Sequence, residues 1–307
     1  MAAMDALRQR LADGGVLLLD GPTGTELERR GAEMSSAAWC GPASVENYAL
    51  LQQIHADYLA AGCDVVTANT YASSRLMLAG AGLGDRVREV NEAAVGAARA
   101  VCDGAGRPAA VAGSLSHMIP VSAGTAATDE ARAPDEGEVR AAFRELAQIL
   151  KDGGCDLILL EMMYHPQRSA WAIEAALETG LPVWLGFSVR AGDDGELLSF
   201  YPHADVPFER MLDLLPAQGV EAVGVMHSRA DLIAPALAQV RARTDAPLTA
   251  YPDSGHFEMP RWNFRDVMST ADFRGYAERW VADGVQVLGG CCGLSLDHIR
   301  AIADLKR

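Results

Sequence analysis

The residues best suited to chemistry lie near the end of the chain, in Gly289-Gly290-Cys291-Cys292-Gly293. They follow a strand-like run, Val285-Gln286-Val287-Leu288, and precede a helical pattern over 294–306. Successive side chains of a strand point to opposite faces, so two adjacent cysteines cannot both face one core. At a strand end flanked by glycines, the backbone can turn both sulfurs toward one point. That arrangement suits a soft cation such as zinc (Zn2+), which takes thiolate and imidazole ligands. The alternative is a pair of structural thiols, since free cysteine packs as a small hydrophobe. His227 ends another apolar run, Ala222 to Ser228. One imidazole and two thiols leave a fourth position open, the pattern of a catalytic zinc site rather than a structural one. His117 and His256, in loops, are candidate extra ligands. His165 and His203 could line the rim without an assigned role, and His55 and His298 read as ordinary helix residues.

These ligands need elements to bring them together. Strand-like apolar runs fall at 16–20, 64–70, 109–115, 157–162, 183–189, 222–228, 247–252 and 285–290. Helical patterns alternate with them near 44–61, 85–103, 135–152, 166–179, 206–218, 229–243, 271–283 and 294–306. Near-continuous apolar strands imply a sheet covered on both faces. Eight strand–helix units in series imply a closed (β/α)8 TIM barrel, an α/β fold, as a single domain over residues 1–307. A weak internal repeat supports this. Gly62, Gly154, Gly219 and Gly284 each precede an even-numbered strand, as left-handed helix caps would. Pro108, Pro182 and Pro247 introduce the third, fifth and seventh. Cys63 and Cys155 follow two of these glycines at the bottom of the barrel and read as structural. Cys40 and Cys102 read as bystanders. The Ala/Gly/Ser/Thr-rich segment 116–134 is expected to be a mobile loop over the active face. The segment 254–270, with Phe257, Trp262 and Phe264, is expected to form a lid or rim.

In such a barrel, chemistry gathers at the C-terminal ends of the strands. Two acids stand there, Asp20 and Glu161, each closing an apolar run. A carboxylate so placed must be paired or solvated. It either meets arginines and backbone N–H groups of the barrel, or faces the ammonium group of an amino-acid substrate. Asn69, ending the second strand, and Ser254, after the seventh, join them as candidate substrate-binding residues. The Gly/Thr-rich turn 21–25 offers N–H groups and hydroxyls for a carboxylate but lacks the spacing of a nucleotide phosphate loop. The formal charge of −15 argues against nucleic acid and anionic membranes as partners. No apolar run is long enough to span a membrane, the charged first segment is not a signal peptide, and six irregularly spaced cysteines suit cytosolic thiols. A cytoplasmic location is therefore expected, with a homo-oligomer left open.

With these motifs in place, the sequence resembles the homocysteine S-methyltransferase family over nearly its whole length. The resemblance rests on 17–31, on 56–71, on the strand ending at Glu161, on Tyr251-Pro252-Asp253-Ser254-Gly255, and above all on 284–302 with its Gly-Gly-Cys-Cys-Gly. It implies a zinc-dependent (β/α)8 barrel that methylates homocysteine to methionine. Cys291 and Cys292 would be zinc ligands, and Asp20 and Glu161 would hold the substrate's amino end. The family supplies a third cysteine from the sixth strand, in Gly-x-Asn-Cys. Here that stretch reads Gly224-Val225-Met226-His227, and Asp253 stands where Asn is usual. Three thiolates give a zinc centre one net negative charge. Two thiolates and a neutral imidazole give none, which makes a stronger Lewis acid, a less nucleophilic bound thiolate and a weaker attraction for a cationic donor. A different thiol or donor is then plausible. The length leaves no evident room for cobalamin and folate modules or for the C-terminal arm of betaine-using relatives. S-methylmethionine or S-adenosylmethionine is thus the expected donor, with betaine-type donors second. Two rival readings are zinc-assisted hydrolysis, with Glu161 or Asp253 as base, and a non-catalytic thiol or metal binder.

Overall fold

A computed structural model describes residues 2–35, 37–121, 128–258 and 263–306. Its centre is a ring of eight parallel strands: β1 (Leu17–Leu18), β2 (Val65–Ala68), β3 (Ala110–Ser116), β4 (Leu157–Met163), β5 (Val183–Phe187), β6 (Val220–Arg229), β7 (Leu248–Asp253) and β8 (Val285–Leu288). Each pairs with its sequence neighbour, and β8 returns to β1 through Leu17↔Val287 and Leu18↔Leu288. A bridge between Leu19 and Val65 joins β1 to β2 and closes the ring. The expected (β/α)8 barrel is therefore present.

The strand period of two sorts the apolar residues into two layers. Leu17, Leu19, Val65, Ala112, Leu159, Trp184 and Val287 face inward and pack together. Leu18, Val66, Val111, Ile158 and Leu160 face outward, against the helices. The helix Ala2–Ala12 sends Met4 and Leu7 into the inner layer, plugging the bottom of the barrel. Gly62, Gly154, Gly219 and Gly284 all have φ between 90° and 108°, so the repeated glycine marks one repeated turn. The acids after it work at the same end. Asp64 accepts from Leu18 N and pairs with Arg10 and Lys306, while Asp156 accepts from Val111 N.

Several elements depart from expectation. The short helices Thr23–Arg29 and Arg75–Gly80 lie in what read as loops. The helix expected over 206–218 is only Phe208–Leu212, hemmed by Pro207 and Pro216. The last one splits into Leu296–Ala301 and a 3-10 turn. Hairpins Val189–Ala191/Leu197–Ser199 and His256–Glu258/Asn263–Arg265 follow β5 and β7. The second hairpin is the expected rim, and Phe264 packs beside Gly293. Trp262 and residues 122–127 of the Ala/Gly/Ser/Thr-rich segment 116–134 lie outside the described residues, while Met118, Val121 and Thr128 of that segment border the strand-end face. Among the described residues, no helix is long and apolar enough to cross a membrane.

Candidate metal centre and its pocket

The cysteine pair is held by backbone contacts on both sides. Gly290 N donates to Asp20 O at 3.2 Å, Cys291 N to Pro252 O at 2.8 Å, and Ser254 N to Cys292 O at 3.0 Å. Side chains at the flanking glycines would break this clamp. A Cβ on Gly289 would stand 3.0 Å from Leu19 Cβ, and one on Gly293, where φ is 80°, would stand 1.9 Å from Ser254 O. The glycines are there because β1 and the β7 turn come this close.

The clamp presents Cys291 Sγ to Cys292 Sγ at 3.8 Å and to His227 Nδ1 at 3.4 Å. All three ligand atoms lie within 4.8 Å of one another, and among the described residues no other histidine, cysteine or acid joins them. His227 reaches this point because its backbone takes φ 41°, in the left-handed region, where the pairing of β6 with β7 shifts register between Met226 and Arg229. One imidazole and two sulfurs around an open position match the preferences of zinc, so the donor set fits that ion. Burial opposes a charged imidazole, but Cys291, Asp253 and Glu161 outweigh it and raise the His227 pKa to about 9. Cys292 raises Cys291 by hydrogen bonding, burial adds to it, and the thiol stands well above its ordinary range.

His227 and both cysteines open on a cavity of about 400 Å3 that also holds Asp20 and Glu161. Asp20 is buried and accepts from Thr67 N and Thr67 Oγ1, each at 2.7 Å. Glu161 accepts from Ser114 Oγ. Burial raises both carboxyls to about 7, against the pull of Thr67 on Asp20 and of Ser114 and His227 on Glu161. Among the described residues, no arginine or lysine pairs with either acid.

The other candidates sit differently. Asn69 lines the cavity, but its amide donates to Cys40 O and Ser44 Oγ and accepts from Cys40 Sγ. Ser254 is not among the cavity residues, and its hydroxyl accepts from Met268 N at 2.8 Å. His117 is buried away from the cysteines, with Nε2 accepting from Tyr164 N and His165 N. His256 is exposed and faces Asp266. Neither is an extra ligand. Cys40, read as a bystander, lines the cavity, with burial raising its pKa to about 12. Sequence reasoning also missed the apolar wall. Trp39 and Tyr71 meet edge to face at 6.2 Å, Tyr71 Oη donates to Met162 Sδ at 2.9 Å, and Phe200 meets the His227 ring at 5.2 Å. Tyr71 stood at a strand end and was findable; nothing in the spacing marked Trp39 or Phe200.

Comparisons with known proteins converge. Betaine--homocysteine S-methyltransferase 1 of Bos taurus is 28% identical over 325 residues, spanning 96% of this chain and 73% of its own length. Homocysteine S-methyltransferase 2 of Zea mays is 26% identical over 319 residues, spanning 98% and 93%. The crystal structure of the homocysteine methyltransferase MmuM from Escherichia coli, in its metallated form, shares the fold with a TM-score of 0.74 at 24% identity, over 97% of this chain and 99% of that one. A homocysteine S-methyltransferase family model matches residues 17–305, and the chain therefore belongs to that family of thiol methyltransferases.

Proposed function

We propose that the protein is a zinc-dependent S-methyltransferase that moves a methyl group from a sulfonium or related onium donor to a thiol, with homocysteine as acceptor and methionine as product. The observation that carries this reading is one cavity holding both a Cys2His ligand set and two buried carboxyl groups that, among the described residues, no arginine or lysine pairs. Zinc held by His227 Nδ1 and the Cys291 and Cys292 sulfurs would supply a soft Lewis acid that lets a thiol ionise near neutral pH.

The chain's own residues do the rest. Asp20 and Glu161 receive the ammonium group of the amino-acid thiol and so aim its sulfur at the open metal position. Thr67 and Ser114 hold the two carboxylates in place. Asn69 serves by fastening the segment that carries Trp39 and Cys40, and Ser254 by supporting the cysteine clamp. The faces of Trp39 and Tyr71 suit an onium cation. The thiolate sulfur attacks the methyl carbon, the carbon–sulfur bond of the donor breaks, and a neutral thioether leaves with the bonding pair. No general acid is needed for that leaving group. Catalysis then rests on thiolate formation and on positioning.

Metal analysis of the purified protein, followed by a panel of thiols against S-methylmethionine, S-adenosylmethionine and betaine, tests the proposal. Stoichiometric zinc with methyl transfer that requires both thiol and onium donor is the expected result. Turnover of an ester or amide without a thiol, or full transfer activity in a metal-free preparation, would overturn it.

A further inference from the structure

The geometry points to Asp253 as the positioning residue of the metal centre. Its carboxylate holds the His227 ring with Nδ1 toward the sulfurs and the Nε2 proton toward itself, and it restores the negative charge that an imidazole ligand lacks. This inference rests on the zinc reading above.

The two ring nitrogens of His227 face different partners. Nδ1 lies 3.4 Å from Cys291 Sγ, while Nε2 lies 3.9 Å from Asp253 Oδ2. Both side chains are sheltered, His227 at 13% and Asp253 at 20% exposure. At 3.9 Å the pair is an electrostatic contact rather than a formed hydrogen bond. Among the described residues no other donor holds the Asp253 carboxylate, so it is free to serve the ring.

The backbone delivers Asp253 to this place. It is the last residue of β7, and its neighbours carry the cysteine clamp: Pro252 O accepts from Cys291 N, and Ser254 N donates to Cys292 O. The segment that fixes the sulfurs therefore also fixes the carboxylate. On the other flank, the Phe200 ring meets the imidazole edge to face at 5.2 Å.

An imidazole that binds metal through one nitrogen carries its proton on the other, and the group facing that proton fixes tautomer and orientation. A carboxylate there also makes the ring a stronger ligand. Counting Asp253, the zinc ion, two thiolates and one carboxylate sum to one net negative charge. The neutral centre inferred from the three ligands alone is thus replaced by an anionic one, and the expected loss of attraction for a cationic donor disappears.

The test is zinc competition against a chromophoric chelator for the unsubstituted protein, Asp253→Asn and Asp253→Ala. The alanine substitution is repeated in a His227→Ala background, and nitrogen-15 spectra of the His227 ring are recorded in the zinc-loaded proteins. Asp253→Ala should weaken zinc binding roughly 10- to 100-fold and blur the single-tautomer signature. Asp253→Asn keeps an acceptor without the charge, so it should keep the tautomer and bind zinc with intermediate affinity. Without the imidazole, Asp253→Ala should cost clearly less, only its charge share remaining, whereas a merely structural role would cost the same in both backgrounds. Unchanged zinc affinity and tautomer in Asp253→Ala, or an equal loss in the His227→Ala background, would overturn the inference while leaving the zinc reading intact. An unsubstituted protein that takes up no zinc would overturn the zinc reading and this inference together.

Discussion

Asp20→Asn should make the metal-free protein more stable above neutral pH while abolishing binding of an amino-acid thiol. Asp20 is 3% exposed, and burial raises its pKa from 3.8 to about 7, against two hydrogen bonds from Thr67. In the window between those values the folded protein keeps a proton that the unfolded chain has lost, so stability falls as pH rises and then levels off above pH 7. A rise of about three units at ~1.36 kcal/mol each puts ~4 kcal/mol on the charged form. Asparagine never ionises, but its amide fits the Thr67 donors less well and gives back ~2 kcal/mol. The net gain should then be near zero at pH 5 and ~2 kcal/mol at pH 8. Urea unfolding of both proteins at unit pH steps, with chelator present, reads this directly. A variant no more stable than the parent at pH 8, or a difference that does not grow from pH 5 to pH 8, would refute the reasoning.

Cys291→Ala or Cys292→Ala should lose both metal and methyl transfer while keeping the fold, as metal analysis and circular dichroism would record. Zinc binding at pH 7 should release at least two protons per ion into weak buffer, one from Cys291 and one from His227; the His227 share should fade as pH rises through about 9. Gly24→Ala places a Cβ 2.5 Å from the Trp39 ring and 3.0 Å from Cys40 Sγ. It should displace Trp39 and raise the KM for the methyl donor more than that for the thiol. Cys63→Ala, at the bottom of the barrel, should cost about 1 kcal/mol in thermal unfolding and leave turnover unchanged.

The barrel was legible because each strand is a dense apolar run set off by glycine or proline, and those breaks recur as real turns at Gly62, Gly154, Gly219 and Gly284. The meeting of His227 with the cysteine pair was legible for a related reason: strand ends in a barrel converge, so the three had one place to meet. The loops were less so. Trp39 reaches the cavity because Asn69 ties down Cys40 and Ser44, a contact across 25 to 29 residues that no local pattern encodes. Ser254 was placed by position alone, and only coordinates reveal that its hydroxyl turns to Met268. His117 read as a loop ligand until the β3 end tucked it beneath Tyr164.

His227 and Met162, next to Glu161, both hold a left-handed backbone without being glycine, at φ 41° and 56°. Each such residue costs of order 1–3 kcal/mol. A lineage released from selection for methyl transfer would relax these positions first. Glycine or asparagine at 227 and 162, with neutral side chains at 20 and 161, would relieve the chain at every step and leave the ring of strands untouched. Loss of the reaction should thus be written in four positions of a descendant sequence long before its barrel begins to erode.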